Sequence, residues 1–338
     1  MRKTKKSFLA MLLSLAMVLT CFLAAVPAMA DTTDAQTAPE TVTVYFSLSN
    51  DGQYVVGNDA NHTVLCRVPM TVSYFDLADY GLENFYRTDD SGNVIESPTL
   101  LHVYIRAIEQ YCLGGGTLVP GVSTVAGSDY KALNITGSAT SMYMQQFWGH
   151  DENLMYFVNH QYPLMYEGWG ATADWILMDS GDEIDVAMFS DWSFWTNGAF
   201  ANFTDTDIVV DASTRSLTTT LQAVSTGMGG PSSVSPEGNT PVYLVPEDAV
   251  RNSEIAGTGN PSVTYDAAAD SVITAGTNGS GVLTTNLPSS LAAGVYYLIA
   301  GPDFNGTIKS GSYNNNLYCV APAVAKVTIP SSTVSVTG

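Results

Sequence analysis

The sequence predicts a mainly β protein in two parts, an α+β domain over residues 41–204 and an all-β domain over residues 205–330. Three observations predict this fold class. A single segment beyond the N-terminus has the apolar period of a helix, while short runs of β-branched and aromatic residues between turn residues fill the remainder. The composition also changes after Thr204, where tryptophan disappears and Thr, Ser, Gly and Ala dominate.

Residues 1–30 have the pattern of a secretory signal peptide. Four basic residues near the N-terminus are followed by an apolar run, and residues 28–30 (AMA) supply a small-x-small cleavage site. Residues 31–40 then form a polar leader, and residues 331–338 a tail. Because no later apolar run is long enough to span a bilayer, we expect a secreted or extracellular protein, released or cell-wall associated, with no membrane insertion after cleavage.

The expected mature chain is strongly acidic. Cleavage removes four basic residues and no acidic ones, which leaves 8 basic against 32 acidic residues and a net charge of −24. Such a surface repels nucleic acid and anionic lipid, so we expect no nucleic-acid partner. Charged residues are few overall and aromatic residues are plentiful, which disfavours disorder.

Three cysteines remain in the mature chain: Cys66, Cys112 and Cys319. An odd count leaves at least one free thiol in a secreted protein. Cys66 and Cys112 could pair, but buried thiols that act as small apolar side chains are the favoured interpretation.

The first domain opens with β patterning. Residues 41–48 (TVTVYFSL) predict a strand, and the turn sequence Asn50-Asp51-Gly52 predicts a hairpin into a second strand at 53–56. Residues 64–74 predict a further strand. Because Pro69 lacks a backbone N–H, this strand is expected at a sheet edge or with a bulge.

One helix is predicted between residues 97 and 112. Ser97 is a suitable N-cap, and Pro98 occupies the first helical position, where a missing N–H costs nothing. Apolar residues then recur along one face from Leu101 to Cys112, and three glycines from Gly114 end the segment. A single helix among many strands should pack across a sheet.

The remaining segments are predicted to be strands. In the first domain the clearest are residues 141–147, 154–159 and 183–189, the last preceded by a tight turn at residues 181–182. Even spacing and Gly/Pro/Asn turns in the second domain predict an immunoglobulin-like antiparallel β-sandwich. Its predicted strands are 208–210, 217–223, 242–245, 263–265, 271–274, 281–286, 295–300 and 326–329.

Two passages carry a family resemblance, residues 97–112 (SPTLLHVYIRAIEQYC) and residues 147–194, which contain YFVN, GWGATAD and GDEIDVAMF. Together they resemble the transcobalamin-like C-terminal domain, a family of bacterial secreted and surface proteins of unknown function, over about residues 41–200. The resemblance implies a β-grasp-like sheet curled around one helix. In Gram-positive bacteria such domains commonly lie beside immunoglobulin-like modules.

The same resemblance raises corrinoid binding. In the animal cobalamin carriers the related domain covers one face of the corrin ring, and a large helical barrel covers the other. With one predicted helix, this chain has no such barrel, so the resemblance implies no cobalamin-contacting residue here.

All five tryptophans lie between residues 148 and 195, together with nine carboxylates and two histidines. Trp and Tyr give a large contact area at little entropic cost, but they also fill cores. Trp148 and Trp175 have apolar neighbours and are predicted to be core residues. Trp169, Trp192 and Trp195 are predicted to be exposed. The predicted ligand-binding residues are these three with Tyr166 and His150.

The acidic residues of this region raise a catalytic alternative. They could supply the carboxylate pair of a glycosidase, although acids on alternate strand positions are equally typical of a solvated sheet face. They are Asp174, Asp179, Asp182, Glu183, Asp185 and Asp191. Nucleophile motifs are absent from the sequence, and no catalytic residue is assigned.

Metal binding has weak support in the sequence. His150 and His160 lie near Asp151 and Glu152, but without the spacing of a known metal motif. Residues 89–93 (DDSGN) are rich in oxygen ligands yet lack EF-hand spacing, so a plain turn is favoured. We expect neither a metal nor a cofactor.

These observations favour a secreted or cell-surface, non-enzymatic binding or adhesion protein of a Gram-positive bacterium. Its partner would be an extracellular ligand: a glycan, a protein or a small molecule, a corrinoid included. The alternatives are a corrinoid or other small-molecule capture protein for an uptake system, and a carbohydrate-active enzyme.

Overall fold

The computed structural model describes residues 41–119, 123–126, 129–151, 153–166, 169–189, 198–225, 234–236, 238, 240–300 and 318–331. Strands dominate these residues and form several sheets, so the predicted mainly β class is confirmed. The predicted signal peptide, leader and tail lie outside the described residues, except residue 331. Among the described helices, none combines the length and apolar composition that a bilayer crossing requires.

The N-terminal body, residues 41–189, is built on a five-stranded sheet. Its central strand pairs in parallel with one neighbour, and every other pairing in this sheet is antiparallel. The strands are β1 (Thr41–Asn50), β2 (Gln53–Tyr54), β3 (Val68–Ser73), β7 (Leu154–Val158) and β10 (Glu183–Met188). Across the sheet the order is β3 and β2, then β1, β10 and β7.

Both faces of this sheet are covered. Alternate residues of β1, from Val42 to Leu48, are at most 1% exposed and belong to the core beneath the helix. The intervening residues Tyr45 and Ser47 lie on the opposite face, beside Glu183 and Asp185 of β10 in the parallel register. Because the side-chain period of a strand is two, one face carries the apolar core and the other carries polar groups.

The predicted helix is present but begins and ends differently. Helix α1 spans Leu100–Ala107, and a π-helical segment, Ile108–Cys112, continues it. Its N-cap is Thr99 rather than Ser97, because the chain before the helix is held by the segment around residue 177. The first helical N–H groups of Leu100 and Leu101 donate to the carbonyls of Ile176 and Ala173, at 2.9 and 3.0 Å.

Two small sheets complete the N-terminal body. One has three strands and the other two, and all their pairings are antiparallel. The first consists of β4 (Leu133–Ser138), β5 (Ser141–Phe147) and β6 (His150–Asp151), and the second of β8 (Leu164–Tyr166) and β9 (Trp169–Gly170).

The C-terminal body, residues 198–331, consists of two five-stranded sheets with an apolar core between them. The first sheet has the order β14, β13, β11, β19, with β17 also paired to β13. Its strands are β11 (Gly198–Phe203), β13 (Ser216–Ser225), β14 (Val234–Pro236), β17 (Val282–Asn286) and β19 (Tyr318–Ala321).

The second sheet of the C-terminal body has the order β12, β20, β18, β15, β16. Its strands are β12 (Asp207–Val209), β15 (Pro241–Pro246), β16 (Ile273–Gly276), β18 (Gly294–Ala300) and β20 (Ala323–Ile329). The predicted strand at 263–265 is instead a single bridge, between Thr264 and Val55 of the N-terminal body. A one-turn helix, α2 (Glu247–Arg251), was not predicted.

The two bodies share two apolar clusters at their junction. In one, Phe157 of β7 stacks on Phe200 of β11 with ring centroids 3.8 Å apart. The backbones also approach closely, since a Cβ added to Gly257 would lie 2.0 Å from the carbonyl oxygen of Gly57. Arg251 donates to the carbonyls of Cys66 and Arg67 at 3.0 and 3.1 Å, which ties α2 to the N-terminal body.

The buried-thiol interpretation holds for the two cysteines whose side chains are described. Cys66 and Cys112 are both free and buried. Cys66 lies beside Arg251, and the Cys112 thiol donates to the carbonyl of Gly259 at 3.7 Å.

Candidate functional site

The structure tests few of the predicted ligand-binding residues. Trp192 and Trp195 lie outside the described residues. Tyr166 and Trp169 pair with each other across the β8–β9 hairpin, and only their backbones are described. His150 is half-buried in β6, where it pairs with Phe147 of β5.

The two tryptophans predicted to be core residues differ. Trp148 is fully buried, packs near Phe147 and has a left-handed backbone with φ of 56°. Trp175 is half-buried rather than sealed in the core, and the guanidinium carbon of Arg87 lies 3.4 Å from its ring centroid. The described indoles therefore form no shared platform: one fills the core, and an arginine covers the other.

A cluster of charged side chains lies between the two bodies, on the polar face of β1 and β10. We call it the His160 cluster; its members are Arg67, His160, Glu183, Asp185 and Asp207. β10 presents Glu183 and Asp185 on one face because they are two residues apart. His160 reaches them from the two-residue turn after β7, where Asn159 and His160 both have positive φ.

The members of the His160 cluster are paired with one another. His160 Nε2 lies 3.2 Å from Glu183 Oε2, and its Nδ1 lies 3.6 Å from Asp185 Oδ2. Arg67 Nη2 donates to Glu183 at 3.0 Å and to Asp207 at 2.6 Å, so it bridges the two bodies. The guanidinium of Arg67 also lies over the Tyr45 ring, 4.1 Å from its centroid.

These contacts set the charges of the cluster. Burial alone would lower the pKa of His160, but the adjacent carboxylates of Asp185 and Glu183 favour the charged imidazolium and raise that pKa to about 10. Burial would raise the pKa of Glu183, yet hydrogen bonds from His160 and Thr206 and the charge of Arg67 leave that pKa lowered. Arg67, His160 and Glu183 are therefore charged at neutral pH.

The cavity beside the His160 cluster is very small. It encloses about 10 Å³ and is lined partly by Ala201, Asn202 and Val324 of the C-terminal body. This volume suits about one water molecule. Glu183 and Asp185, whose side chains are 15% and 17% exposed, do not lie on the solvated face expected from the sequence, because the C-terminal body covers that face of the sheet.

A second cavity is open to solvent at the end of α1. We call it the helix-end groove; it has a volume of about 410 Å³. This volume lies in the range of small-molecule sites. Its lining residues are Tyr80, Arg106, Glu109, Gln110, Gly115, Gly116 and Thr117.

Helix geometry brings the charged residues of the groove together. Arg106 and Glu109 are three residues apart on one helical face and form an ion pair through Nη1 and Oε2. Glu109 Oε1 also accepts from the Tyr80 hydroxyl at 3.0 Å and from the backbone N–H of Leu118 at 3.2 Å. The Arg106 guanidinium covers Phe75, 4.4 Å from its ring centroid, so this wall of the groove is fixed by internal contacts.

All five arginines of the expected mature chain are buried or half-buried: Arg67, Arg87, Arg106, Arg215 and Arg251. Four of them lie over aromatic rings. Lys326 contacts Asp207 at the edge of the His160 cluster, with 3.8 Å between Nζ and Oδ1. The four arginines over aromatic rings and Lys326 thus serve internal contacts.

The acidic turn at residues 89–93 closes on itself. Asp89 accepts from the backbone N–H groups of Ser91 and Asn93 and from the Asn93 amide, at 2.8–3.0 Å. Across the described residues, no group of three or more His, Cys, Asp or Glu side chains is arranged to hold a metal ion.

Sequence reasoning missed the bridging role of Arg67 and the helix-end groove. A signal for the groove was present, since Arg106 and Glu109 have the spacing of a helical ion pair immediately before a glycine run. The partners of Arg67 are 116 and 140 residues distant, and no local pattern shows such pairings.

Comparisons with known proteins identify no family. No protein-family model matches the chain, and no curated protein matches it. Weak similarity exists to solved Dscam structures. One, described as the structural basis for Dscam isoform specificity, has 14% identity and a TM-score of 0.18, over 46% of this chain and 26% of that one.

Two further structures contain the N-terminal four immunoglobulin domains of Dscam1. Isoform 4.44 has 12% identity and a TM-score of 0.17, over 62% of this chain and 36% of that one. Isoform 9.44 has 10% identity and a TM-score of 0.18, over 64% of this chain and 48% of that one. The chain thus spans a quarter to a half of these structures, and scores this low support no argument about its fold.

Proposed function

We propose that this chain is a secreted, non-enzymatic binding protein of the bacterial cell surface, which holds an extracellular ligand through its N-terminal body. The observation that carries the proposal is the helix-end groove, a solvent-open cavity of about 410 Å³ lined by both polar and apolar surface. Ligand sites are concave and largely pre-formed, and the internal contacts of Arg106 and Glu109 pre-form this one.

The N-terminal body is proposed to be β-grasp-like, as the transcobalamin-like resemblance implies. The order β3, β1, β10, β7, with a parallel central pair and α1 across one face, supports this assignment. In the C-terminal body, the order β20, β18, β15, β16 parallels the G, F, C and C′ strands of an immunoglobulin-like sandwich. The pairings of β11 and β17 with β13 likewise parallel the A, B and E strands.

The His160 cluster argues against the glycosidase alternative. Two catalytic carboxylates need room for a sugar and, in inverting enzymes, for a water molecule. Glu183 and Asp185 are instead held by Arg67 and His160 beside a cavity of about 10 Å³. A carboxylate in such ion pairs stabilises the junction and is not poised to donate a proton.

The proposal is tested with the mature chain, residues 31–338, labelled and applied to immobilised cell-wall polysaccharide, host glycans and matrix proteins. We expect saturable binding to at least one surface without release of sugar from it. A titration with cobalamin, followed by tryptophan fluorescence, tests corrinoid capture in parallel. Sugar release that is lost in Asp185→Asn would overturn the proposal, and so would the absence of binding to every surface.

A further inference from the structure

The helix-end groove also indicates what class of ligand it accepts, and this inference rests on the proposed binding function. Its charged groups are already balanced. Glu109 accepts from Tyr80, Arg106 and the Leu118 N–H, so its carboxylate is satisfied within the protein. An anionic ligand would have to compete with Glu109 for Arg106, and a cationic ligand would have to compete with Arg106 for Glu109.

The net charge of the whole chain also disfavours an anionic ligand. With a net charge of −24 expected after cleavage, the protein repels anionic glycans and nucleotides at long range. Together with the paired charges of the groove, this favours an uncharged ligand.

The lining offers hydrogen-bond donors and acceptors beside apolar surface. Gln110 and Thr117 are exposed and carry an amide and a hydroxyl, each of which can donate and accept. The backbones of Gly115 and Gly116 are exposed beside them. Tyr80, the aromatic residue of the lining, is 8% exposed and donates its hydroxyl to Glu109. Such mixed walls suit a ligand that carries both hydroxyl groups and apolar C–H faces, as a sugar does.

The backbone at the groove is itself unusual. Glu109 and Gln110 lie in the π-helical segment, and π-helical turns are rare but frequent at functional sites. Gly115 then adopts φ of 89°, and a Cβ added there would meet no atom within 4 Å. The helix end is thus shaped to present polar groups around an empty space.

We infer that the helix-end groove binds a neutral oligosaccharide, through hydrogen bonds with the exposed side chains of Gln110 and Thr117. The affinity should be modest, because no open aromatic face in the lining is available for stacking.

The test uses the mature chain and three neutral trisaccharides, built from β-1,4-linked glucose, β-1,4-linked N-acetylglucosamine and α-linked mannose, with sialyllactose as an anionic comparison. Binding is measured by saturation-transfer NMR and calorimetry at millimolar sugar. Thr117→Trp places a bulky side chain in the groove, and Gln110→Ala removes an amide. Thr284→Trp, at an exposed threonine of β17 in the C-terminal body, is the matched control.

We expect at least one neutral trisaccharide to bind more tightly than sialyllactose. Thr117→Trp should weaken that binding at least roughly tenfold, or about 1.4 kcal/mol, and Thr284→Trp should leave it unchanged. Gln110→Ala should weaken it with an unchanged melting temperature, which separates lost contacts from unfolding.

The inference is overturned if no neutral trisaccharide binds, if sialyllactose binds more tightly, or if Thr117→Trp and Thr284→Trp have equal effects. Each variant is also applied to the immobilised surfaces described above. Surface binding that persists in Thr117→Trp refutes the groove assignment and leaves the binding function intact. No surface binding by the unmodified chain refutes the function itself.

Discussion

His102 and His160 show how two identical side chains acquire opposite charge states from their surroundings. In α1, burial lowers the pKa of His102 to about 4, and the nearby charge of Arg106 adds to this effect. His102 is therefore neutral: its Nδ1 accepts from the Thr99 N–H at 3.1 Å, and its Nε2 donates to the Phe75 carbonyl at 3.1 Å. Two carboxylates instead raise the pKa of His160 to about 10.

His160→Gln should change how stability depends on alkaline pH. Because the folded pKa of His160 exceeds its ordinary value of 6.5, its contribution is complete below pH 6.5 and is lost as pH rises towards 10. We expect the variant to lose about 1–2 kcal/mol of unfolding free energy at pH 6, and less at pH 10. Urea unfolding at both pH values measures this, with His150→Gln as the control. Equal losses at the two pH values would contradict it.

His102→Gln should change how stability depends on acidic pH. The folded pKa of about 4 lies below 6.5, so the contribution of neutral His102 is present above pH 6.5 and is lost as pH falls towards 4. A Gln side chain can accept from Thr99 and donate to Phe75 without titrating.

We therefore expect the stability difference between pH 7 and pH 4.5 to be smaller in His102→Gln than in the unmodified chain. His102→Leu removes the histidine partner of the Thr99 N–H and of the Phe75 carbonyl, and should cost about 1–3 kcal/mol at either pH. Thermal unfolding at the two pH values distinguishes the variants. If His102→Gln keeps the full acid sensitivity of the unmodified chain, protonation of His102 is not what destabilises the fold at low pH.

At the residue level the sequence identified which side chains share a face, but not what covers that face. Trp148 was correctly predicted as a core residue from its apolar neighbours. The spacing of Glu183 and Asp185 placed both on one polar face, yet that face lies against residues such as Asn202 and Val324, far along the chain. The alternation of polar and apolar residues along a strand shows which side chains share a face of the sheet. It carries no information about which distant residues pack against that face.

Among the elements, α1 depends most on tertiary contacts. It has eight α-helical residues and a π-helical extension, and seven of the eight are buried. Its first N–H groups bind carbonyls of residues 173 and 176 rather than a side chain of its own. The apolar period of the sequence located the helix. The contacts with residues 173–177, which no local pattern shows, set its first residue.

A synthetic peptide of residues 95–114 should accordingly show little helix in water. Helix nucleation is unfavourable, and isolated helices shorter than about 12–15 residues are marginal. Circular dichroism measures the helical fraction, and trifluoroethanol serves as the control, since it induces helix where the sequence permits. A strongly helical peptide in water would show that local propensity, not packing, sets this element.

Over the whole molecule, the two bodies are joined too closely to behave as independent domains. Two apolar clusters, the bridge by Arg67 and the backbone bonds of Arg251 cross the junction. The sequence predicted two parts from a change in composition, and each part has its own core. It did not predict their contact, because that surface comes from segments such as residues 54–66 and 245–265 that have no shared pattern.

Gly257→Ala tests this junction directly. The added Cβ would meet the Gly57 carbonyl oxygen at 2.0 Å, so the backbones must separate. Overpacking of this kind typically costs about 1–3 kcal/mol. Gly279→Ala is the matched control, since a Cβ there meets nothing within 4 Å. Urea unfolding compares the two, and equal stabilities would mean that the bodies can part at no cost.

The inward placement of the arginines determines what an approaching molecule encounters. With these cations occupied by rings, carbonyls and carboxylates, the electric field outside the protein is overwhelmingly of one sign. Two copies would repel each other once they came within about 8 Å, the Debye length at physiological salt, because salt screens the repulsion at longer distances. A dense layer of this protein would therefore keep its members spaced apart and its grooves accessible, without any dedicated spacer.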